Sequence, residues 1–119
     1  MKYVCLIYQG TTPLPGTPEW EAFDPEEQKQ VYADYQALNQ IEGVTPGPPL
    51  GLPQNATTVR VQDGRPLVTD GPFAATKEAL GGFFVLEAEN LDAAMEVAAR
   101  VPAARLGGAV EIRPVETYW

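Results

Sequence analysis

The chain has 119 residues, of which 45% are hydrophobic and 20% charged, and this length predicts one domain spanning residues 1–119. A chain of this size buries enough surface to fold without disulfides or metal. It contains no histidine and no serine, which excludes serine triads, histidine general bases and histidine metal sites. The single cysteine, Cys5, excludes an intramolecular disulfide and a cysteine-cluster zinc site. We therefore expect no metal and no cofactor, and any acid–base chemistry must use Asp, Glu, Lys, Tyr or Cys5.

The charge is acidic and unevenly distributed. Sixteen acidic and eight basic residues give a net charge of −8. Residues 19–42 hold seven carboxylates and one lysine, Lys29, which accounts for −6 of that total. This segment repels nucleic acid, and no Lys/Arg cluster offsets it. Two interpretations of the segment stay open: a solvated helix face, or a docking surface for a basic partner.

We expect the amino-terminal residues not to act as a targeting segment. Their apolar stretch is shorter than the core of a signal peptide and lacks a small-residue cleavage site, and no apolar run is long enough to span a bilayer. We therefore expect a cytoplasmic protein without membrane contact. Cys5 lies within the apolar run at residues 4–7, which predicts a buried and inert thiol.

The first half of the chain predicts a strand, a helix and a weak second strand. Residues 3–8 are apolar on both faces of a strand, and the proline-rich residues 11–18 predict a loop. Asp24-Pro25-Glu26-Glu27 begins a helix whose apolar stripe is Val31, Tyr35, Leu38 and Ile41, and Gly43 ends it. Any strand from Val44 into the proline-rich residues 45–53 must be broken or lie at a sheet edge.

The second half predicts a hairpin, a strand, a helix and a last strand. Residues 57–61 and 66–69 flank Asp63-Gly64, a favoured hairpin turn pair, and residues 81–89 are the most strand-like segment. Asn90 caps a helix whose apolar face is Leu91, Ala94, Ala98 and Val101, and residues 109–115 form the last strand. Without the hairpin this order predicts an α+β, ferredoxin-like sandwich, with two helices on one face of an antiparallel sheet.

The other face of that sheet has no helix of its own to cover it. Residues 3–8 and 83–86 are nevertheless apolar on both faces, so the second face needs a cover. A second copy of the sheet is the simplest one, which predicts a homodimer of the dimeric α+β barrel type.

Residues 70–78 read Asp-Gly-Pro-Phe-Ala-Ala-Thr-Lys-Glu and closely resemble the D-G-P-F-x-E-T-K-E signature of the DGPF group of YCII-related proteins. The similarity continues through residues 80–84, 101–105 and 110–115, and includes the opening Met-Lys-Tyr and the Asp63-Gly64 hairpin. The resemblance implies a ferredoxin-like dimeric α+β barrel of a largely uncharacterised family. Relatives have been interpreted as enzymes from a His-Asp pair, whereas this chain has no histidine, and Ala75 stands where the signature has Glu.

The candidate site centres on Asp70 and Lys77, the two candidate catalytic residues. The structural interpretation assigns Asp70 to a turn, where its carboxylate accepts backbone N–H bonds, with Phe73 anchoring the loop in the core. Lys77 either pairs with Asp70 across the loop or, in the functional interpretation, binds an anionic ligand. Glu111 and Arg113 alternate with Val110 and Ile112, which directs both charges away from the helices, either as a structural salt bridge or as part of a pocket. Arg105 is either a ligand clamp or a donor to helix-end carbonyls. The candidate ligand-binding set is Asp70, Lys77, Glu78, Arg105, Glu111 and Arg113.

Two functions remain compatible with these residues. The first is binding of a small polar or anionic molecule, with possible weak enzymatic activity, in a pocket on the sheet face without helices. The second is a non-enzymatic regulatory or interaction protein. Proteins that resemble this family are often encoded beside alternative sigma factors, which implies a transcription-linked partner by analogy.

Overall fold

The computed structural model describes residues 1–73 and 79–119. Its strands are β1 (Lys2–Tyr8), β2 (Val44–Pro46), β3 (Thr57–Gln62), β4 (Arg65–Asp70), β5 (Leu80–Glu87) and β6 (Ala109–Pro114). Its helices are α1 (Pro18–Glu21), α2 (Pro25–Asn39), α3 (Leu91–Ala98) and α4 (Pro102–Arg105), and one 3₁₀ turn spans Pro53–Asn55. No helix in these ranges is long and apolar enough to cross a membrane.

Four strands form one antiparallel sheet in the order β2-β5-β1-β6. With α2 following β1 and α3 following β5, this is the ferredoxin-like α+β arrangement that the element order predicts. The sheet of one chain is open and closes no barrel. β2 lies at an edge, as its Pro46 requires, because proline cannot donate a ladder hydrogen bond.

The core lies between the helices and one face of this sheet. Every second residue of β1 and β5 points toward the helices, and Cys5, Phe84 and Leu86 are almost fully buried there. The predicted stripe of α2 packs on them: Val31 and Leu38 are buried, and Tyr35 and Ile41 contact the same cluster. The burial predicted for Cys5 is confirmed, and it raises the pKa of the thiol to about 11.

Local sequence signals place the helix ends. The Asp24 carboxylate accepts a hydrogen bond from the Glu26 amide at 3.1 Å, and Asn90 Oδ1 accepts one from the Ala93 amide at 2.9 Å. Both are N-caps of the predicted type. Ala94 and Ala98 of α3 are buried as expected, whereas Leu91 is 51% exposed. The prediction for Leu91 is wrong because it occupies the first turn of α3, at the rim of the packed face.

Two short helices were not predicted. α1 begins at Pro18, directly after the first proline-rich loop, where Thr17 Oγ1 accepts a hydrogen bond from the Trp20 amide at 3.3 Å. α4 begins at Pro102, in a segment predicted to be loop. Both have proline at the first helical position, where its missing N–H costs nothing.

The predicted hairpin is confirmed and forms a separate two-stranded sheet of β3 and β4. Asp63 and Gly64 have φ of 52° and 75°, which is the left-handed pair that a tight turn between two strands needs. The hairpin is inserted between β2 and β5 and is not hydrogen-bonded to the four-stranded sheet.

Candidate functional site

The sheet face opposite the helices is apolar at its centre. We name it the helix-free face and define it by Val4, Leu6 and Tyr8 of β1, Phe83 and Val85 of β5, and Glu111 and Arg113 of β6. The strand register pairs Val4 with Val85 and Arg113, and Leu6 with Phe83 and Glu111. Paired residues point to the same side of a sheet. Apolar side chains therefore occupy the two central strands, and two charges occupy the β6 edge.

A cleft of about 550 Å³ lies at the end of the helix-free face where Tyr8 and Leu80 meet. This volume is in the range of small-molecule sites. Three segments enclose it: the ends of β1 and β5, the second proline-rich loop, and the base of the hairpin. Its described lining consists of Tyr8, Leu50, Gly51, Leu52, Pro53, Asn55, Ala56, Thr57, Pro72, Phe73, Ala79 and Leu80.

Backbone hydrogen bonds hold these segments in place. The Gly47 amide donates to Phe83 O, and the Leu50 amide donates to Gly81 O, both at 3.1 Å, which ties the proline-rich loop to β5. A Cβ at Gly47 would meet Phe83 O at 2.4 Å, so this close approach requires glycine. At the hairpin base, the Gly71 amide donates to Ala56 O at 2.7 Å. The cleft is thus built on a fixed backbone.

Asp70 is an exposed residue at the end of β4, opposite Thr57. Within the described residues its carboxylate accepts no hydrogen bond, so the turn bonds predicted for it are not found there. The corner is closed by Thr58 instead, whose Oγ1 donates to Gly71 O at 2.7 Å. Gly71 has φ of +95°, the left-handed conformation that glycine adopts most easily. Asp70 therefore lies beside the rim of the cleft, and within the described residues its side chain does not stabilise the corner.

Phe73 does not anchor the loop in the core, and that prediction is wrong. Its side chain is 77% exposed and lines the cleft, with the Arg60 guanidinium 5.7 Å from its ring centroid. The core is filled by residues from β1, β5 and the helices, and Phe73 lies on the cleft wall instead.

Lys77 and Glu78 lie outside the described residues. The positions on either side of their segment do bear on the site, because Phe73 and Ala79 both line the cleft. The Ala79 carbonyl also accepts a hydrogen bond from the Gln9 amide at 3.0 Å. The described residues that flank these two charges in the sequence therefore border the cleft.

Glu111 and Arg113 lie on the helix-free face, as their alternation with Val110 and Ile112 predicts. Arg113 Nε donates to Glu111 Oε2 at 2.6 Å. This hydrogen bond and the carboxylate charge raise the pKa of Arg113. The pair is solvent-accessible and self-neutralising, so Arg113 would have to exchange Glu111 for a ligand in order to bind an anion.

Arg105 is not brought together with Arg113. It belongs to α4, on the helix side of the sheet, and its Nη1 lies 2.7 Å from Asp34 Oδ2 of α2. Tyr35 is close to this pair: burial raises the pKa of Tyr35, and the positive charge of Arg105 opposes the increase. The arrangement joins two helices.

Sequence reasoning missed the contribution of the second proline-rich loop. Leu50, Leu52 and Asn55 all line the cleft, and the only signal was the density of proline and glycine, which predicts a loop but not its position. Gln9 was also missed. Among the described residues, its buried Oε1 has no hydrogen-bond partner. The Gln9 side chain lies against Gly81 and fills the space that a Cβ there would occupy.

The other depression in the described part of the chain and its acidic side chains do not form a comparable site. A depression of about 450 Å³ is lined by one face of α2 alone, so no groups from different elements converge in it. In residues 1–73 and 79–119, no three His, Cys, Asp or Glu side chains form a group able to hold a metal ion.

Comparison with known proteins gives two matches. The sequence model of the YCII-related domain matches residues 1–118, which include every element that forms the cleft. An uncharacterised protein of Rhizobium meliloti (strain 1021) is 35% identical over 123 residues, covering 99% of this chain and 94% of that protein. Both matches extend over nearly the whole fold, and the chain belongs to the YCII-related family.

Proposed function

We propose that the protein binds a small molecule with an apolar body and a polar or anionic group in the cleft beside Tyr8. The observation that carries the proposal is the convergence of three chain segments on one cavity of small-molecule size. Its lining is mainly apolar, with the Tyr8 and Thr57 hydroxyls and the Asn55 amide as polar groups. A few polar groups in an apolar cavity are typical of small-molecule sites, where they fix the orientation of the ligand.

The anionic part of the proposal depends on Lys77 and Arg113. Lys77 lies in the sequence between Phe73 and Ala79, which both line the cleft, and a lysine can pair with a carboxylate or phosphate. Arg113 shares the helix-free face with Tyr8, and its charge is available on exchange of Glu111. Binding is favoured over catalysis because Tyr8 is the one ionisable side chain among the described lining residues.

A thermal-shift screen of small carboxylates and phosphates tests this function. A compound at ten times its Kd stabilises the folded state by about 1.4 kcal/mol, which raises the Tm of a chain of this size by about 5 °C. We expect Lys77→Ala, Arg113→Ala and Tyr8→Phe to reduce the shift. The control Lys29→Ala removes an exposed lysine of α2, away from the cleft, and should leave the shift unchanged. No stabilising compound, or stabilisation that survives all three variants, refutes the proposal.

The same proposal includes a homodimer in which two copies cover each other's helix-free faces. The support is the row of apolar side chains on β1 and β5 that the helices do not cover, together with the 19 Å smallest extent of the chain. That depth fits one helix layer on one sheet, with no third layer. Light scattering at micromolar concentration should give twice the 12.9 kDa mass of one chain, and the mass of a single chain refutes the dimer.

The second candidate is a regulatory or interaction protein with a transcription-linked partner. One observation favours it: six of the seven carboxylates at residues 19–42 are exposed on α1, α2 and the adjoining turns. A basic partner surface would bind there. This candidate replaces the first if the ligand screen fails and if reversing the charges with Glu26→Lys and Glu27→Lys abolishes binding to a purified partner.

A further inference from the structure

The hairpin of β3 and β4, residues 57–70, which we name the arm, has one apolar and one polar face. Its register pairs Val59 with Val68 and Val61 with Pro66. Because paired residues share a face, these four side chains form one continuous apolar surface, and the Thr57–Asp70 pair lies on the same face at the base of the arm. The neighbouring pairs place polar groups on the other face: Thr58, Arg60, Gln62, Arg65 and Thr69, interrupted by Leu67.

The apolar face of the arm is uncovered in the described part of the chain. Exposure is 61% for Val59, 72% for Val61 and 59% for Val68. An isolated two-stranded hairpin is marginally stable in water, and nothing in the arm's own sheet supplies a core. The radius of gyration is 16.1 Å, against about 13.5 Å for a compact domain of this length, so the chain is less compact than a single packed body. Such a surface calls for a partner.

The distribution of charge indicates which kind of partner the apolar face of the arm can bind. The arm carries Arg60, Arg65, Asp63 and Asp70 and is therefore neutral, although the chain carries −8. The helix-free face is also neutral, since Lys2 pairs with Glu87 at 3.8 Å and Arg113 with Glu111 at 2.6 Å. A basic partner would be drawn to residues 19–42 rather than to either neutral apolar surface. A second copy of the chain presents a matching neutral apolar surface and avoids the charge repulsion.

The position of the arm agrees with this occupant. Its base lines the cleft with Tyr8 and Leu80, so the arm leaves the body at the end of the helix-free face. An arm that starts at the margin of one interface is placed to continue that interface onto the partner. In a twofold arrangement each copy gives one arm and receives one.

We infer that the apolar face of the arm packs on the second copy of this chain, extending the interface made by the helix-free faces. This inference rests on the proposed homodimer and adds to it a specific second contact. Arg60 and Arg65 lie on the other face, so the one charge on the docking face is that of Asp70, at the base of the arm. Because the base of the arm lines the cleft, the shape of the cleft then depends on how the second copy is bound.

Thiol protection in the full-length protein tests the inference with a matched pair of variants. Val61→Cys and Gln62→Cys place one thiol on opposite faces of the arm at neighbouring positions. The natural thiol, Cys5, is fully buried and its pKa is raised to about 11, so it contributes little background reaction with maleimide. In the dimer we expect the Val61→Cys thiol to react at least tenfold more slowly than the Gln62→Cys thiol. Dilution to monomer should remove the difference.

Light scattering of Val61→Lys and Gln62→Lys provides the second measurement. Each variant adds one positive charge to the arm, and only Val61→Lys places it on the apolar face. We expect at least a tenfold increase in the dimer Kd for Val61→Lys and less than a twofold change for Gln62→Lys. A dimeric parent with equal thiol reactivities and equal Kd values overturns the arm contact and leaves the dimer standing. A parent protein that is monomeric overturns both the arm contact and the dimer. The ligand screen tests the proposed binding in the cleft independently of this result.

Discussion

Removal of the Arg105 side chain should affect stability and leave ligand binding intact. Arg105 belonged to the ligand-binding set predicted from the sequence, whereas the structure places its guanidinium on Asp34 between α4 and α2. The substitution Arg105→Ala removes this link on the helix side of the sheet. The cleft beside Tyr8 lies on the other side and should keep its shape.

The geometry sets the size of the effect. The two atoms are 2.7 Å apart, and the Arg105 and Asp34 side chains are 40% and 24% exposed. A fully exposed pair contributes roughly 0.2–1 kcal/mol. Because this pair is short and Asp34 is partly buried, we expect a coupling energy near the upper limit, about 1 kcal/mol. For a chain of this length, a loss of about 1 kcal/mol lowers the Tm by about 4 °C.

A double-mutant cycle of Arg105→Ala and Asp34→Ala, followed by urea unfolding, isolates the coupling energy. The matched control is Arg100→Ala, which removes an exposed arginine that has no ion pair within the described residues. The Arg105→Ala variant should also raise the pKa of Tyr35, since Arg105 now lowers it, and an ultraviolet titration against Tyr35→Phe measures this. A coupling energy of zero, or loss of the ligand-induced thermal shift in Arg105→Ala, refutes the assignment.

Two further predictions concern the hairpin corner and the buried thiol. Thr58→Val should lower the free energy of unfolding by about 1 kcal/mol, because it removes the hydrogen bond to Gly71 O. Asp70→Ala should change that free energy by less than about 0.5 kcal/mol. The reverse order of the two effects in urea unfolding would show that Asp70 stabilises the corner. The pKa of Cys5 is about 11 in the folded chain against 9.0 for the free group, so the unfolded chain ionises first as the pH rises. The contribution of Cys5 to stability should be constant well below pH 9 and fall by roughly 2–3 kcal/mol as the pH rises through about 11. The Cys5→Ala variant should lack that part of the fall, and an unchanged profile contradicts the burial argument.

The sequence by itself determined the six strands, the two longer helices and their order. Hydrophobic alternation at residues 3–8, the cap at Asp24 and the Asp63-Gly64 turn are local signals, because each depends on side chains a few residues apart. These signals were enough for the ferredoxin-like arrangement, whereas the family was inferred from the resemblance of residues 70–78 to a known signature. Alternation also directed Glu111 and Arg113 to the helix-free face.

Only the tertiary structure decided which distant residues meet. It brought the second proline-rich loop against β5 and the hairpin base to form the cleft, and it separated Arg105 from Arg113 by the thickness of the sheet. It also placed Phe73 in solvent, where hydrophobicity alone predicted the core. Such contacts depend on the path of loops whose proline and glycine residues restrict the backbone locally without specifying where the chain travels. Local chemistry therefore determined the fold of this protein, and the packing of its loops decided where a ligand can bind.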